Sequence, residues 1–183
     1  LVLYSLSPAT GEIQWMHSII DGAWVDDVRH RADAYGGQFQ TSPVVVDDIA
    51  YIGGPDGFLD AIDVKNGKRL WRFETQGRIS SAPRVAEGKV FVGKNAQYDE
   101  FYAIDQKTGE PVWRIDNLGW ASVGATGYAN GRIFVGTVDG KFYGINASNG
   151  HIDWKFNAGS GKGFYPHPAT DDTKVYTGSH NGN

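Results

Sequence analysis

Four tryptophans recur in this chain in one setting, and that repeat limits the possible folds more than any other feature. Each stands four residues after a glycine that closes a short polar run. The runs are Ser7-Pro8-Ala9-Thr10-Gly11 before Trp15, and Asp63-Val64-Lys65-Asn66-Gly67 before Trp71. The other two are Asp105-Gln106-Lys107-Thr108-Gly109 before Trp113, and Asn146-Ala147-Ser148-Asn149-Gly150 before Trp154. Successive tryptophans are 56, 42 and 41 residues apart. A spacing near 42 suits either β-propeller blades or helical arrays. Local alternation separates the two. Lys89-Val90-Phe91-Val92-Gly93, Arg132-Ile133-Phe134-Val135-Gly136 and Lys174-Val175-Tyr176-Thr177-Gly178 alternate as half-buried strands do, and no stretch sustains a helical period. A second column, Gly53, Gly93, Gly136 and Gly178, keeps the same register. The reading is all-β: a β-propeller of four-stranded antiparallel blades, with about four blade equivalents in this chain.

Within one unit the strands A to D follow from the turn residues. Strand A is expected over residues 80–86, strand B over 89–93, strand C over 100–105 and strand D over 110–114. Asp63 and Asp105 can accept hydrogen bonds from backbone N–H groups two or three residues on, which shapes the C–D turn. Asn146 can do the same, and Ser7 more weakly. Gly11, Gly67, Gly109 and Gly150 supply the positive φ of a bulged hairpin. The small residues Ser5, Ala61, Ala103 and Gly144 leave room for a tryptophan on the sheet face. A buried Trp removes on the order of 200 Å² from water, or roughly 5 kcal/mol as an upper bound. Trp15, Trp71, Trp113 and Trp154 are therefore read as structural wedges rather than a ligand-stacking ladder.

This pattern, Ala-x-Asp-x-x-Thr-Gly-x-x-x-Trp in its fullest form at 103–113, resembles the tryptophan-docking motif of the quinoprotein-like, pyrroloquinoline-quinone (PQQ)-type β-propeller repeats. The resemblance covers nearly the whole chain except residues ~19–37, and such rings close with about eight blades. It implies residues 1–17 as strands C and D of one blade, 38–73, 78–115 and 121–156 as full blades, and 164–183 as strands A and B of another. Residues 19–37 are a loop insertion. The chain opens on Leu1-Val2-Leu3-Tyr4, with neither Met nor a signal peptide. Three organisations stay open: a piece of a longer chain, a homodimer in which two copies complete a ring, or a ring closed by its own ends.

The composition excludes several function classes. There is no cysteine, so disulfides, thiolate metal sites and thiol nucleophiles are out. A net charge of −4 argues against a basic nucleic-acid surface. No apolar run approaches the ~18 residues of a membrane span, and the aromatic content of 13% is too high for disorder.

Candidate site residues come from where the repeat breaks. The long first interval carries Trp24, Asp26, Asp27, Arg29, His30, Arg31 and Asp33. In a propeller the D-to-A connections share a face with the B-to-C loops, around the channel mouth. This insertion is thus either a polar ligand or partner site, with Arg29 and Arg31 holding a carboxylate or other anion, or a salt-bridged surface loop. Arg78 is the one charge among the aligned first positions of strand A. Trp120, Tyr165 and His167 lie on the other connections of that face. Gly159-Ser160-Gly161-Lys162-Gly163 lacks the spacing and the following helix of a phosphate loop. Five scattered histidines make no metal site, and no catalytic constellation stands out.

The resemblance implies a periplasmic or extracellular location and two main roles. One is a non-catalytic scaffold or binding propeller, similar in kind to the propeller lipoproteins of bacterial outer-membrane assembly, presenting loops to a protein partner or small polar ligand. The alternative is a PQQ- and calcium-dependent alcohol or sugar dehydrogenase whose catalytic residues lie mostly outside this chain. A carbohydrate-binding or sensor propeller is the third reading. No cofactor is expected under the first role.

Overall fold

A computed structural model describes residues 2–19, 41–79, 81–95, 99–119, 121–171 and 173–180. Among these, regular structure is all strand. A two-stranded hairpin, β1 (Val2–Leu6) and β2 (Ile13–Ser18), comes first. Next is a four-stranded antiparallel sheet in sequence order: β3 (Val44–Val46), β4 (Ile49–Gly53), β5 (Phe58–Asp63) and β6 (Arg69–Glu74). The following sheet holds β7 (Arg78–Ile79), β8 (Arg84–Ala86), β9 (Lys89–Asn95), β10 (Glu100–Asp105) and β11 (Pro111–Asp116). Then come β12 (Ala121–Ala129), β13 (Arg132–Thr137), β14 (Lys141–Asn146) and β15 (Ile152–Asn157). A short pair, β16 (Ala169–Thr170) and β17 (Val175–Tyr176), ends the series. The repeated sheets are the expected propeller blades.

The C–D turns form as their residues dictate. Lys65 N–H donates to Asp63 Oδ1 at 2.7 Å, and the Lys107 and Thr108 N–H groups donate to Asp105 Oδ1 at 2.9 Å. Ser148 N–H reaches Asn146 Oδ1 at 2.9 Å, whereas Thr10 N–H to Ser7 Oγ is longer at 3.3 Å. Every C–D pair shifts register at the expected bulge. These backbone bonds hold the Asp105 carboxyl below the usual carboxylate range.

The hydrophobic core lies between sheets. Leu3 and Trp15 of the first hairpin pack on Ile19, Ala50, Ile52 and Ile62. Tyr51, Leu59 and Ala61 pack against Val90, Val92 and Ile104 of the next sheet. Phe91, Phe101 and Ala103 pack against Ile133, Val135 and Ile145 of the one after. The inner strands are apolar on both faces, Ala50 and Ile52 of β4 packing to one side and Tyr51 to the other, so each blade is stable through its neighbours.

The tryptophans tie these layers together by a two-part contact. Each stands directly across the C–D pair from a small residue of its own sheet: Ser5, Ala61, Ala103 or Gly144. Its ring then reaches the C–D turn of the next blade. The Trp15 indole N–H donates to Val64 O at 2.6 Å, Trp71 to Gln106 O at 3.1 Å and Trp113 to Ala147 O at 3.1 Å. A Cβ built on Gly67, Gly109 or Gly150 would lie 2.7–2.9 Å from the Trp15, Trp71 or Trp113 ring. The turn glycine is therefore required twice, for its φ and for the ring above it. Trp154 has its own Gly144 beneath it but no later C–D turn among the described residues, and is 37% exposed.

Two strand expectations are corrected. Of strand A of the second full unit, expected over 80–86, the structure keeps only β8 (Arg84–Ala86), which starts after Pro83, a residue with no N–H for a ladder; a separate short β7 lies before it at Arg78–Ile79. Strand D begins at Pro111 rather than Glu110 and runs on to Asp116. Glu110 belongs to the turn, where its carbonyl accepts from Asp105 N–H at 2.8 Å.

Gly109→Ala and Gly88→Ala separate the two glycine demands. Both positions have positive φ, but nothing lies within 4 Å of a Cβ at Gly88. Gly88→Ala is expected to cost about 1–2 kcal/mol of left-handed backbone. Gly109→Ala adds about 1–3 kcal/mol of collision with Trp71. Urea unfolding of the two variants side by side checks the difference.

Candidate functional site

The face formed by the B–C loops and the D–A connections is stitched together by backbone. At two of these connections the chain leaving one blade lies across that blade's own B–C loop. Ile79 N–H donates to Gly54 O at 3.1 Å and Phe164 N–H to Thr137 O at 3.0 Å. Their side chains fill notches left by glycine. A Cβ on Gly53 would meet Ile79 at 2.2 Å, and one on Gly136 would meet Phe164 at 2.5 Å. Gly53 and Gly136 of the second glycine column are thus seats of the incoming D–A segment.

Three ionic groups fix the loops on this frame. Asp60 is fully buried and accepts from Arg72 Nε at 2.6 Å and Nη2 at 2.7 Å. The same guanidinium donates to Ile19 O at 2.9 Å and lies 4.7 Å above the Phe58 ring. A bidentate pair of this kind leaves a costly buried charge when one partner is removed. Lys94 and Glu100 sit at the two ends of the longest B–C loop, with Nζ and Oε2 2.9 Å apart. The Lys94 stem lies on Gly77, and Tyr102 OH donates to the same carboxylate. In the next blade Asp139 accepts from Thr137 Oγ1 and Lys141 Nζ, both at 2.5 Å.

Protonation follows these contacts. Burial pushes the Glu100 carboxyl up, but the hydrogen bonds from Tyr102 and Lys94 and the charges of Lys94 and Arg114 outweigh it, so the net shift is downward. Asp139 behaves alike: burial opposes, and Lys141 and Thr137 prevail. The Tyr102 phenol is pushed up by burial and by its bond to Glu100. A cleft of about 380 Å³ opens beside this group, lined by Phe73, Gln76, Glu100, Tyr102, Trp113 and Arg114 among others.

Of the residues singled out from sequence, Trp24, Asp26, Asp27, Arg29, His30, Arg31, Asp33 and Trp120 lie outside the described residues. Arg78 opens β7, with Asn95 as its backbone partner, and is half-buried. Tyr165 and His167 are exposed. Tyr165 meets His180 edge-on, with ring centroids 5.8 Å apart. His180 N–H in turn donates to Gly163 O at 2.7 Å. Sequence reasoning passed over Lys94, Glu100, Asp139 and Lys141. A Lys and a Glu at the two ends of the one long B–C loop were the available signal.

Among the described residues, no three His, Asp or Glu side chains gather as a metal site requires. Glu100 and Asp139 point their oxygens at Lys, Tyr and Thr donors, so these carboxylates do not fit a calcium–quinone pair. No helix of the described residues is long and apolar enough to cross a membrane.

Lowered carboxyl values carry a sign. Stability from Glu100 and Asp139 is present above the unfolded carboxyl value of about 4 and is lost as pH falls through the lower folded values. Asp171, held at about 2 by the Thr173 and Lys174 N–H groups and by Tyr176, acts in the same window. The urea midpoint should fall between about pH 5 and about pH 2, and Glu100→Gln should flatten part of that slope. An unchanged slope in the variant contradicts the role given to Glu100.

Known proteins place these features in one family. The family model described as outer membrane protein assembly factor BamB matches residues 1–182. An outer membrane protein assembly factor BamB from Shewanella oneidensis is 32% identical over 146 residues, covering 73% of this chain and 36% of that protein. The BamB crystal structure from Moraxella catarrhalis superposes with a TM-score of 0.73 at 19% identity, over 94% of this chain and 48% of that one. Quinohemoprotein alcohol dehydrogenase from Comamonas testosteroni gives a TM-score of 0.75 at 17% identity, over 96% of this chain and 36% of that one. The chain thus spans between a third and a half of these relatives' length. With four in-register docking repeats and a family match over nearly its full length, the chain belongs to the BamB-type, PQQ-like β-propeller family.

Proposed function

We infer that this chain is part of a non-catalytic propeller that holds its B–C and D–A loops rigid for a protein partner in the bacterial envelope. The observation that carries the reading is the state of the ionic groups on that face. Lys94–Glu100–Tyr102 and Thr137–Asp139–Lys141 are closed among themselves and anchor loop ends. A face built this way resists deformation, and it presents whatever the loops carry without first paying to order them. The similarity to BamB over residues 1–182 supports the same reading and points to the periplasm, in the service of outer-membrane protein assembly. In this reading the 19–37 insertion, with Arg29 and Arg31, supplies positive charge to the contact, suited to an acidic or carboxylate-bearing partner segment.

The dehydrogenase reading keeps a place because the same fold serves quinohemoprotein alcohol dehydrogenase. Two measurements separate them. Protein incubated with PQQ and calcium should acquire no quinone absorbance and reduce no dye with alcohols or sugars. Cross-linking in an envelope extract should capture a protein through the B–C and D–A loops, and Arg29→Glu with Arg31→Glu should lower that capture about tenfold, the scale of a lost charge-assisted pair. Alcohol-dependent dye reduction overturns the scaffold reading. Capture that is indifferent to the charge reversal removes the insertion from the contact.

A further inference from the structure

Two of the C–D turns carry an asparagine directly before the turn glycine, Asn66-Gly67 and Asn149-Gly150. The other two carry Thr10 and Thr108 at that place. An asparagine followed by glycine can modify itself. The glycine nitrogen, with no Cβ to shield it, attacks the asparagine Cγ. A new C–N bond closes a five-membered succinimide, and the side-chain nitrogen leaves as ammonia. Water then opens the ring at either carbonyl and gives aspartate or isoaspartate. Two conditions govern the rate. The side chain must be free to swing its Cγ onto the glycine nitrogen, and that nitrogen must be able to give up its proton.

The two turns differ in both respects. Each glycine N–H is tied to a carbonyl of its own turn, Gly67 to Asp63 O at 2.8 Å and Gly150 to Asn146 O at 2.9 Å. Each asparagine Oδ1 accepts from the N–H two residues on, Lys68 at 2.8 Å and His151 at 2.9 Å. The difference comes from the first residue of the turn. Asp63 holds the other end of Asn66, whose Nδ2 donates to Asp63 Oδ2 at 3.0 Å. A hydrogen bond to a carboxylate is stronger than one between neutral groups. Asn146 occupies that place in the later blade, and its Oδ1 is taken by the N–H and Oγ of Ser148 at 2.9 and 2.7 Å. Asn149 Nδ2 makes no hydrogen bond among the described residues, so Asn66 is held at both ends and Asn149 at one. Charge acts in the same direction. Loss of the glycine proton builds negative charge, which the Asp63 carboxylate opposes and the neutral Asn146 does not. Both asparagines are exposed, so water reaches them.

We propose that Asn149 is a self-deamidating site in the folded protein and that Asp63 protects its counterpart, Asn66. The proposal is independent of the scaffold reading. Its product acts on a blade contact. Isoaspartate routes the main chain through its side chain, one carbon longer, directly before Gly150. The Trp113 ring lies on that glycine, 2.9 Å from where a Cβ would stand, and its N–H is bonded to Ala147 O of the same turn. A longer turn shifts both seats of the ring. Deamidation at Asn149 therefore loosens the sheet β12–β15 from the sheet that carries Trp113, while Trp15 on Gly67 stays docked.

The test ages the full 183-residue protein in mildly alkaline buffer made with heavy-oxygen water. Peptides are mapped by mass for the exchange of amide for acid, and isoaspartate is counted by enzymatic methylation. In the folded protein Asn149 should convert about fivefold faster than Asn66, the scale of one side-chain hydrogen bond. In urea the two rates should converge. Asp63→Asn should raise the Asn66 rate toward that of Asn149, and Asn146→Asp should slow Asn149. Each change installs the residue that the other turn already carries, so both turns still form. Asn149→Thr copies Thr108, whose Oγ1 accepts from Glu110 N–H at 3.3 Å, and it abolishes the reaction at that site. Aged protein should unfold at lower urea, and aged Asn149→Thr should keep its midpoint. Equal rates at the two sites in the folded protein, or swaps that leave both rates unchanged, overturn the proposal. So does an Asn149 that reacts in urea but not in the folded chain. A midpoint loss that Asn149→Thr does not prevent overturns the link to the Trp113 contact.

Discussion

Everything in this molecule depends on one contact, an indole ring of one blade laid on the turn glycine of the next. The sheets are short, and their apolar faces are buried only against each other. A mixed contact of this kind does three things at once. It buries apolar ring area, it satisfies the indole N–H on a turn carbonyl, and it fixes the spacing of two blades through the absence of a Cβ. The three occupied docks share these elements within a few tenths of an ångström. The C–D turn is therefore both the end of one hairpin and the socket for its neighbour.

The opposite face is built by a different rule. There, B-strand glycines admit Ile79 and Phe164 from the incoming chain, and backbone bonds to Gly54 and Thr137 complete the seam. Ionic groups then lock the loop ends. Asp60 with Arg72, and Glu100 with Lys94 and Tyr102, occupy positions that the repeat leaves variable from blade to blade. The invariant parts of the repeat make the ring, and the varied parts distinguish one loop from the next. Asp60, Glu100 and Asp139 on that face are each held by partners within the fold.

The repeat was readable in the sequence because its signals are local. Glycine at Gly109, the Asp105 side chain and the Trp113 spacing each act within ten residues, and β10 lies where alternation puts it. Non-local features were harder to read. That Trp71 would reach Gln106 O, 35 residues on, requires knowing which blade is next to which. The pairing of Lys94 with Glu100 depends on both loop ends rising on the same side of a sheet. Alternation alone carries strand A back through Pro83 to residue 80, whereas β8 starts only at Arg84, after the missing N–H. The insertion at 19–37 gave no periodicity to anchor it, and its charged residues rest on their sequence position alone.

The ring-on-glycine contact is tested most directly by a double-mutant cycle between Trp71→Leu and Gly109→Ala, read as unfolding free energies in urea. With the indole gone, Gly109→Ala should cost only its left-handed backbone, leaving a coupling of about 1–3 kcal/mol between the two sites. Strictly additive effects, within about 0.5 kcal/mol, would mean that ring and glycine act separately and that the blades are held by something else.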